Sequence, residues 1–213
     1  MLGPEHRRRH KRIRGVHNRA FIGYSPHIRE IMRNLMANNV IPVLDNIAAT
    51  PEGAANILPI TQSMILDCTS AFAFGIPLSL DFVVDTKARK DWLDLFAIAF
   101  PTDQASFWLR EHPRLTKYLC MLGIPLVSKD IAPSRHEFEG WALRKVDGAE
   151  QVLRMRDKGQ AIEAGHLPVL YDAIRTDLAN AQMGAEKAGF TMTEAQRREL
   201  ASECLDHIGK QFR

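Results

Sequence analysis

Apolar residues recur at intervals of three and four through most of the chain, which is the period of an amphipathic helix. The clearest case follows Ser25-Pro26, where Ser25 is a candidate N-cap and Pro26 suits the first helical position. Pro42 is expected to break or kink this helix, because proline has no backbone N–H to donate. The apolar stripe consists of Ile28, Ile31, Met32, Leu35 and Met36.

The same period predicts further helices, and no alternating run indicates a convincing β-hairpin. Gly75 and Pro77 are expected to end one of these helices, and Thr193 with Gln196 has the spacing of a capping box. The fold class predicted from the pattern is therefore mainly α, with little or no strand. The predicted helices cover 4–19, 57–74, 87–100, 134–157, 166–182 and a final segment after Thr193, whereas 48–56 and 101–132 are expected to be irregular.

Two apolar stretches leave alternatives open. Trp92, Phe96 and Phe100 lie four residues apart, so the stripe belongs either to a core or to a substrate contact. The stretch 103–127 is unusually apolar for a connection, and it forms either core or a surface patch that contacts a membrane interface. Its apolar residues include Phe107, Trp108, Leu109, Leu115, Tyr118, Leu119 and Leu122.

Charge is spread unevenly along the 213 residues, whose net charge is +3. Residues 1–33 hold nine Lys and Arg against two acids, so this end requires an anionic partner unless it is a solvated helix face. The basic run 7–19 has no interleaved aromatic residues and no recognisable nucleic-acid-binding motif, so we expect no nucleic acid as partner. We also find no transmembrane span and no signal peptide in the pattern.

The three cysteines, Cys68, Cys120 and Cys204, have no short spacing, so neither a CxxC metal site nor a disulfide framework is predicted. A reducing, intracellular compartment is the simpler interpretation. Cys68 and Cys204 lie on apolar helix faces, which predicts small core residues. The histidines also lack metal spacing and are expected at the surface or at helix ends; they include His112, His136, His166 and His207.

Five segments, taken in order, carry a family resemblance. They are GPEHRRRHKRIRGVHNRAF (Gly3–Phe21), LDCTSAFAFG (Leu66–Gly75), RKDWLDLF (Arg89–Phe96), the Pro-rich stretch 101–132, and ELASECLDHIG (Glu199–Gly209). The set resembles the C-helix, the end of the E-helix, the F-helix, the F–G region and the start of the I-helix of a fungal cytochrome P-450. The resemblance implies a partial cytochrome P-450 fold, with 1–213 as a single incomplete domain running from the C-helix to the early I-helix.

The resemblance also implies the parent chemistry, which is O₂-dependent oxidation of a small organic substrate by a haem whose iron has a Cys thiolate ligand. An NADPH-dependent reductase would supply the electrons, and the parent family is usually bound to the endoplasmic-reticulum membrane. His6 matches a haem-propionate contact, and His10 stands where the family has Arg. Imidazole can donate to a carboxylate, but it lacks the bidentate fork of Arg.

Other family elements are not found in the sequence. After Ile208 the chain reads Gly-Lys-Gln-Phe-Arg instead of an acid–Thr pair, and no Arg-x-Cys loop occurs because Tyr118 precedes Cys120 where Arg is needed. No axial Cys and no metal ligand are therefore assigned. We expect a truncated, inactive fragment with doubtful haem binding. The alternatives are a non-enzymatic helical module that binds an anionic partner through 7–19, and a non-functional gene-model product.

Overall fold

The computed structural model describes Gly15 and residues 25–50, 56–101, 108–109, 111–124, 126, 128–163, 165–183 and 192–209. It is 79% helix, and the described residues form no strand. The mainly α prediction is therefore confirmed. The predicted helix 4–19 lies outside the described residues apart from Gly15, which is helical. The arrangement of a partial cytochrome P-450 and the single incomplete domain over 1–213 stay predictions.

The chain divides into two compact units. The first comprises Met1–Thr86 and Ala142–Arg213, and the second comprises Lys87–Trp141. A long helix, α6 (Ile131–Asp157), contributes residues to both units. We describe each unit by itself.

The first unit begins with α1 (Ser25–Leu35), which continues through a π-helical turn (Met36–Val40) into α2 (Ile41–Ala48). The backbone N–H of Ile41 donates to the carbonyl of Met36, one residue further back than in an α-helix. Pro42 follows at the start of α2, where a missing N–H is tolerated. The structure therefore has a π-helical turn just before Pro42, where a break or kink is predicted. The helical segments follow one another without a gap.

The central helix of the first unit is α3 (Ile57–Phe74), with the predicted bounds. The side chain of Asn56 accepts a hydrogen bond from the backbone N–H of Leu58, which caps the first turn. Gly75 ends the helix with φ +88°, and a Cβ there would lie 2.3 Å from the carbonyl oxygen of His166. Only glycine fits this close approach without a backbone shift. A 3₁₀ turn (Ile76–Leu78) follows.

The rest of the first unit comes from α6, α7 (Val169–Met183) and α8 (Glu194–Gly209). Helix α7 begins three residues later than predicted, after Pro168, whose carbonyl accepts from the N–H of Asp172. The predicted capping box of α8 is present. Thr193 N–H donates to Gln196 Oε1 at 2.8 Å, and Gln196 N–H donates to Thr193 Oγ1 at 3.3 Å. Buried apolar residues of this unit include Leu66, Phe74, Val146, Leu153, Val169, Leu170, Leu200 and Ile208.

The second unit contains α4 (Thr86–Ala99), except for its first residue, α5 (Pro113–Met121), and the first turns of α6. Trp92 is buried, and its ring stacks on Phe96 at 5.4 Å and lies 5.1 Å from Phe138. Phe100 makes an edge-on contact with Phe138 at 5.5 Å. Of the two interpretations of the aromatic stripe, these contacts favour the core of this unit.

Helix α5 differs from the sequence prediction, which left 101–132 irregular. Pro113 occupies its first position, where a fixed φ and a missing N–H are both compatible with a helix. The hydroxyl of Thr116 lies 2.9 Å from the carbonyl of Leu109 and 3.0 Å from that of His112, and its single proton is donated to one of them, which further ties the first turn. Pro113 therefore starts a helix within a stretch that is expected from the sequence to be irregular.

Candidate functional site

A buried carboxylate stands at the centre of α3. Asp67 accepts from the backbone N–H groups of Phe82 and Val83 at 2.7 and 2.9 Å. Ser70, one turn later, accepts from the N–H of Leu80 at 3.0 Å. Helix α3 thus holds the segment Leu80–Val83 by its backbone, and buried Phe82 and Val83 pack beside it. These bonds give the polar residues of an apolar helix a structural role.

Asp81 lies in the middle of that segment with φ +55°, a conformation that few residues other than glycine adopt. Its carboxylate accepts from the Ser79 hydroxyl at 3.1 Å and from the Asn39 amide at 3.5 Å. Lys145 Nζ approaches the carbonyl of Ser79 at 3.5 Å. Burial lowers the pKa of Lys145, and the nearby Asp81 opposes that shift. These contacts of Asn39, Ser79, Asp81 and Lys145 connect the π-helical turn and α6 to the segment after α3.

A second polar network joins α6 to α7 within the first unit. Arg156 donates two bonds to buried Asp172, at 2.6 and 3.0 Å, in a bidentate pair. The Tyr171 hydroxyl donates to Glu150 at 2.9 Å, and Arg175 pairs with the same carboxylate at 3.0 Å. Burial and the adjacent Glu150 raise the pKa of Tyr171, so its hydroxyl stays protonated. Most donors and acceptors of this network are matched, but the buried Nε of Arg175 makes its ion pair with Glu150 without a hydrogen bond.

The three cysteines have different surroundings. Cys204 is completely buried in α8, and burial raises the pKa of its thiol. Cys68 is partly buried against Ile31, Leu35 and Ala71, and burial and Asp67 raise its pKa to about 11. Cys120 is exposed on α5. The prediction of a core residue is confirmed for Cys204, whereas Cys68 lies at the edge of a core cluster.

The candidate propionate contacts His6 and His10 lie outside the described residues, as does all of the basic run 7–19 except Gly15. Their assignment stays a prediction. Within the part of the chain that the structure describes, no group of three or more His, Cys, Asp or Glu side chains is placed to hold a metal ion. The ring of His112 stacks on that of Trp108 at 5.4 Å, and His166 lies 3.6 Å from Glu163.

The apolar stretch 103–127 contains an exposed surface that we call the α5 face. It comprises Leu115, Tyr118 and Leu122, which are spaced by three and four residues and are 56%, 60% and 61% exposed. Of the two interpretations of the stretch, these exposures favour a surface patch at the described positions. The signal that could have located it is the i, i+3, i+7 spacing after Pro113. Further exposed apolar residues nearby are Trp108, Met121 and Ile124.

Among the described residues, α3 has the length of a membrane-spanning helix, with a mean hydropathy of 1.3. It packs against α1, α7 and α8 within its unit, and its buried Asp67 bonds to backbone N–H groups of the same unit. These contacts are those of a core helix. No protein-family model, curated protein or solved structure matches the chain.

Proposed function

We propose that this chain is a segment of a cytochrome P-450, a haem-thiolate monooxygenase whose parent reaction oxidises a small organic substrate. The observation that carries the proposal is the ordered set of resembling segments, the last of which is ELASECLDHIG (Glu199–Gly209). That segment lies within α8, and buries Leu200, Ala201, Cys204 and Ile208 on one side. A buried helix suits an I-helix, which crosses the interior of the parent fold.

Three other helices are consistent with the same order. LDCTSAFAFG (Leu66–Gly75) covers the last turns of α3 and its glycine cap, and RKDWLDLF (Arg89–Phe96) lies within α4. The stretch 101–132, matched to the F–G region, contains α5. Each match concerns only the position of a helix along the chain, so the substrate, the haem and the reductase remain part of the proposal.

The cysteines present do not fit the haem iron. The ligand must be a thiolate. Raised pKa values keep Cys204 and Cys68 as thiols, and Cys204 is packed inside the core. Cys120 is exposed on α5, with Tyr118 two residues before it instead of the Arg of the family motif. We therefore derive no catalytic step through haem for this chain.

The gene that encodes the chain provides the direct test of the family. We expect the DNA that follows codon 213 to encode an acid–Thr pair and then an Arg-x-Cys loop. Those elements deliver protons to bound dioxygen and ligate the iron in the parent family. A downstream sequence that encodes neither element in any frame would contradict the proposal. A downstream sequence that encodes both elements would support it.

A haem titration tests the state of the purified chain. We expect the reduced, CO-bound absorption spectrum to show no thiolate-type band, because none of the three cysteines offers a buried thiolate. Cys120→Ala is the matched control, since an exposed thiol is the one most able to bind haem adventitiously. A saturable thiolate-type band that persists in Cys120→Ala would show that Cys68 or Cys204 reaches the iron, and our assignment of these thiols would be wrong.

A further inference from the structure

No further inference is drawn: the strongest candidate, the surface patch of exposed apolar side chains at the start of α2 and in the first half of α3 (Ile41, Ile57, Leu58 and Ile65), carries no proposal because nothing in the part of the chain that the structure describes shows what covers it.

Discussion

Asp67→Ala is expected to lower the free energy of unfolding by about 3 kcal/mol, because two buried backbone N–H groups lose their carboxylate acceptor at about 1–3 kcal/mol each. The groups are those of Phe82 and Val83, which are held at 2.7 and 2.9 Å. Both residues are themselves buried, so water cannot readily replace the carboxylate without disturbing their packing. Urea unfolding followed by far-UV circular dichroism measures the loss.

Asp67→Asn separates hydrogen bonding from packing. The amide keeps the shape of the carboxylate but has one acceptor oxygen, and its NH₂ faces a donor. We therefore expect a loss between zero and that of Asp67→Ala. Asp94→Ala is the surface control, because Asp94 pairs with exposed Lys90 in α4 and such pairs contribute little. A loss for Asp67→Ala no greater than that for Asp94→Ala would show that the segment after α3 does not depend on the buried carboxylate.

The helix ends that the sequence predicted are those whose signals are local. Gly75 after α3 and Thr193 with Gln196 at α8 each act on backbone groups within a few residues. The chemistry of each residue is then enough to place it. Asp67 had a weaker local signal, since a charged residue within an apolar helix requires a partner. Its partners lie 15 and 16 residues away, and periodicity cannot identify them.

Proline accounts for two differences between expectation and structure, because its effect depends on position. Pro42 follows a π-helical turn, so helical segments follow directly where a break was expected. Pro113 begins α5 in a stretch that was expected to be irregular. In both cases the missing N–H falls in the first turn of a helix, where it is not needed. Whether a proline falls in the first turn of a helix depends on the residues before it. The number of prolines in a stretch therefore does not predict the structure of that stretch.

The candidate site could not be predicted from periodicity or charge, because its residues were assigned through the family resemblance. His6 and His10 were assigned by motif and lie outside the described residues, so the propionate contact stays a prediction. The α5 face was named as one of two alternatives, since composition alone does not distinguish a buried apolar segment from an exposed one. The exposed fraction of each side chain decides between these two alternatives. Leu115, Tyr118 and Leu122 are all more than half exposed.

Alkaline pH is expected to destabilise the first unit through three acids, Tyr171, Cys204 and Cys68. Burial raises their pKa values above the ordinary values of 10.0 for tyrosine and 9.0 for cysteine, so the folded chain retains protons that the unfolded chain releases. Their contribution is complete below pH 9 and declines as pH rises above each ordinary value. The decline is about 1.4 kcal/mol per pH unit for each group. At pH 11 the loss from Tyr171 and Cys204 is therefore about 4 kcal/mol, and Cys68, whose pKa is raised to about 11, adds to it.

Urea unfolding at intervals between pH 8 and about pH 11 measures this slope. Cys204→Ala removes one of the three protons, so the free energy of unfolding of this variant should fall less steeply above pH 9, whatever its value at pH 8. Tyr171→Phe should make the free energy of unfolding fall less steeply above pH 10. This variant also loses the hydrogen bond to Glu150. Cys120→Ala changes an exposed thiol and should retain the full slope. Parallel pH profiles for all four proteins would contradict the protonated burial of Tyr171 and Cys204, and with it the argument that Cys204 cannot supply a thiolate to haem.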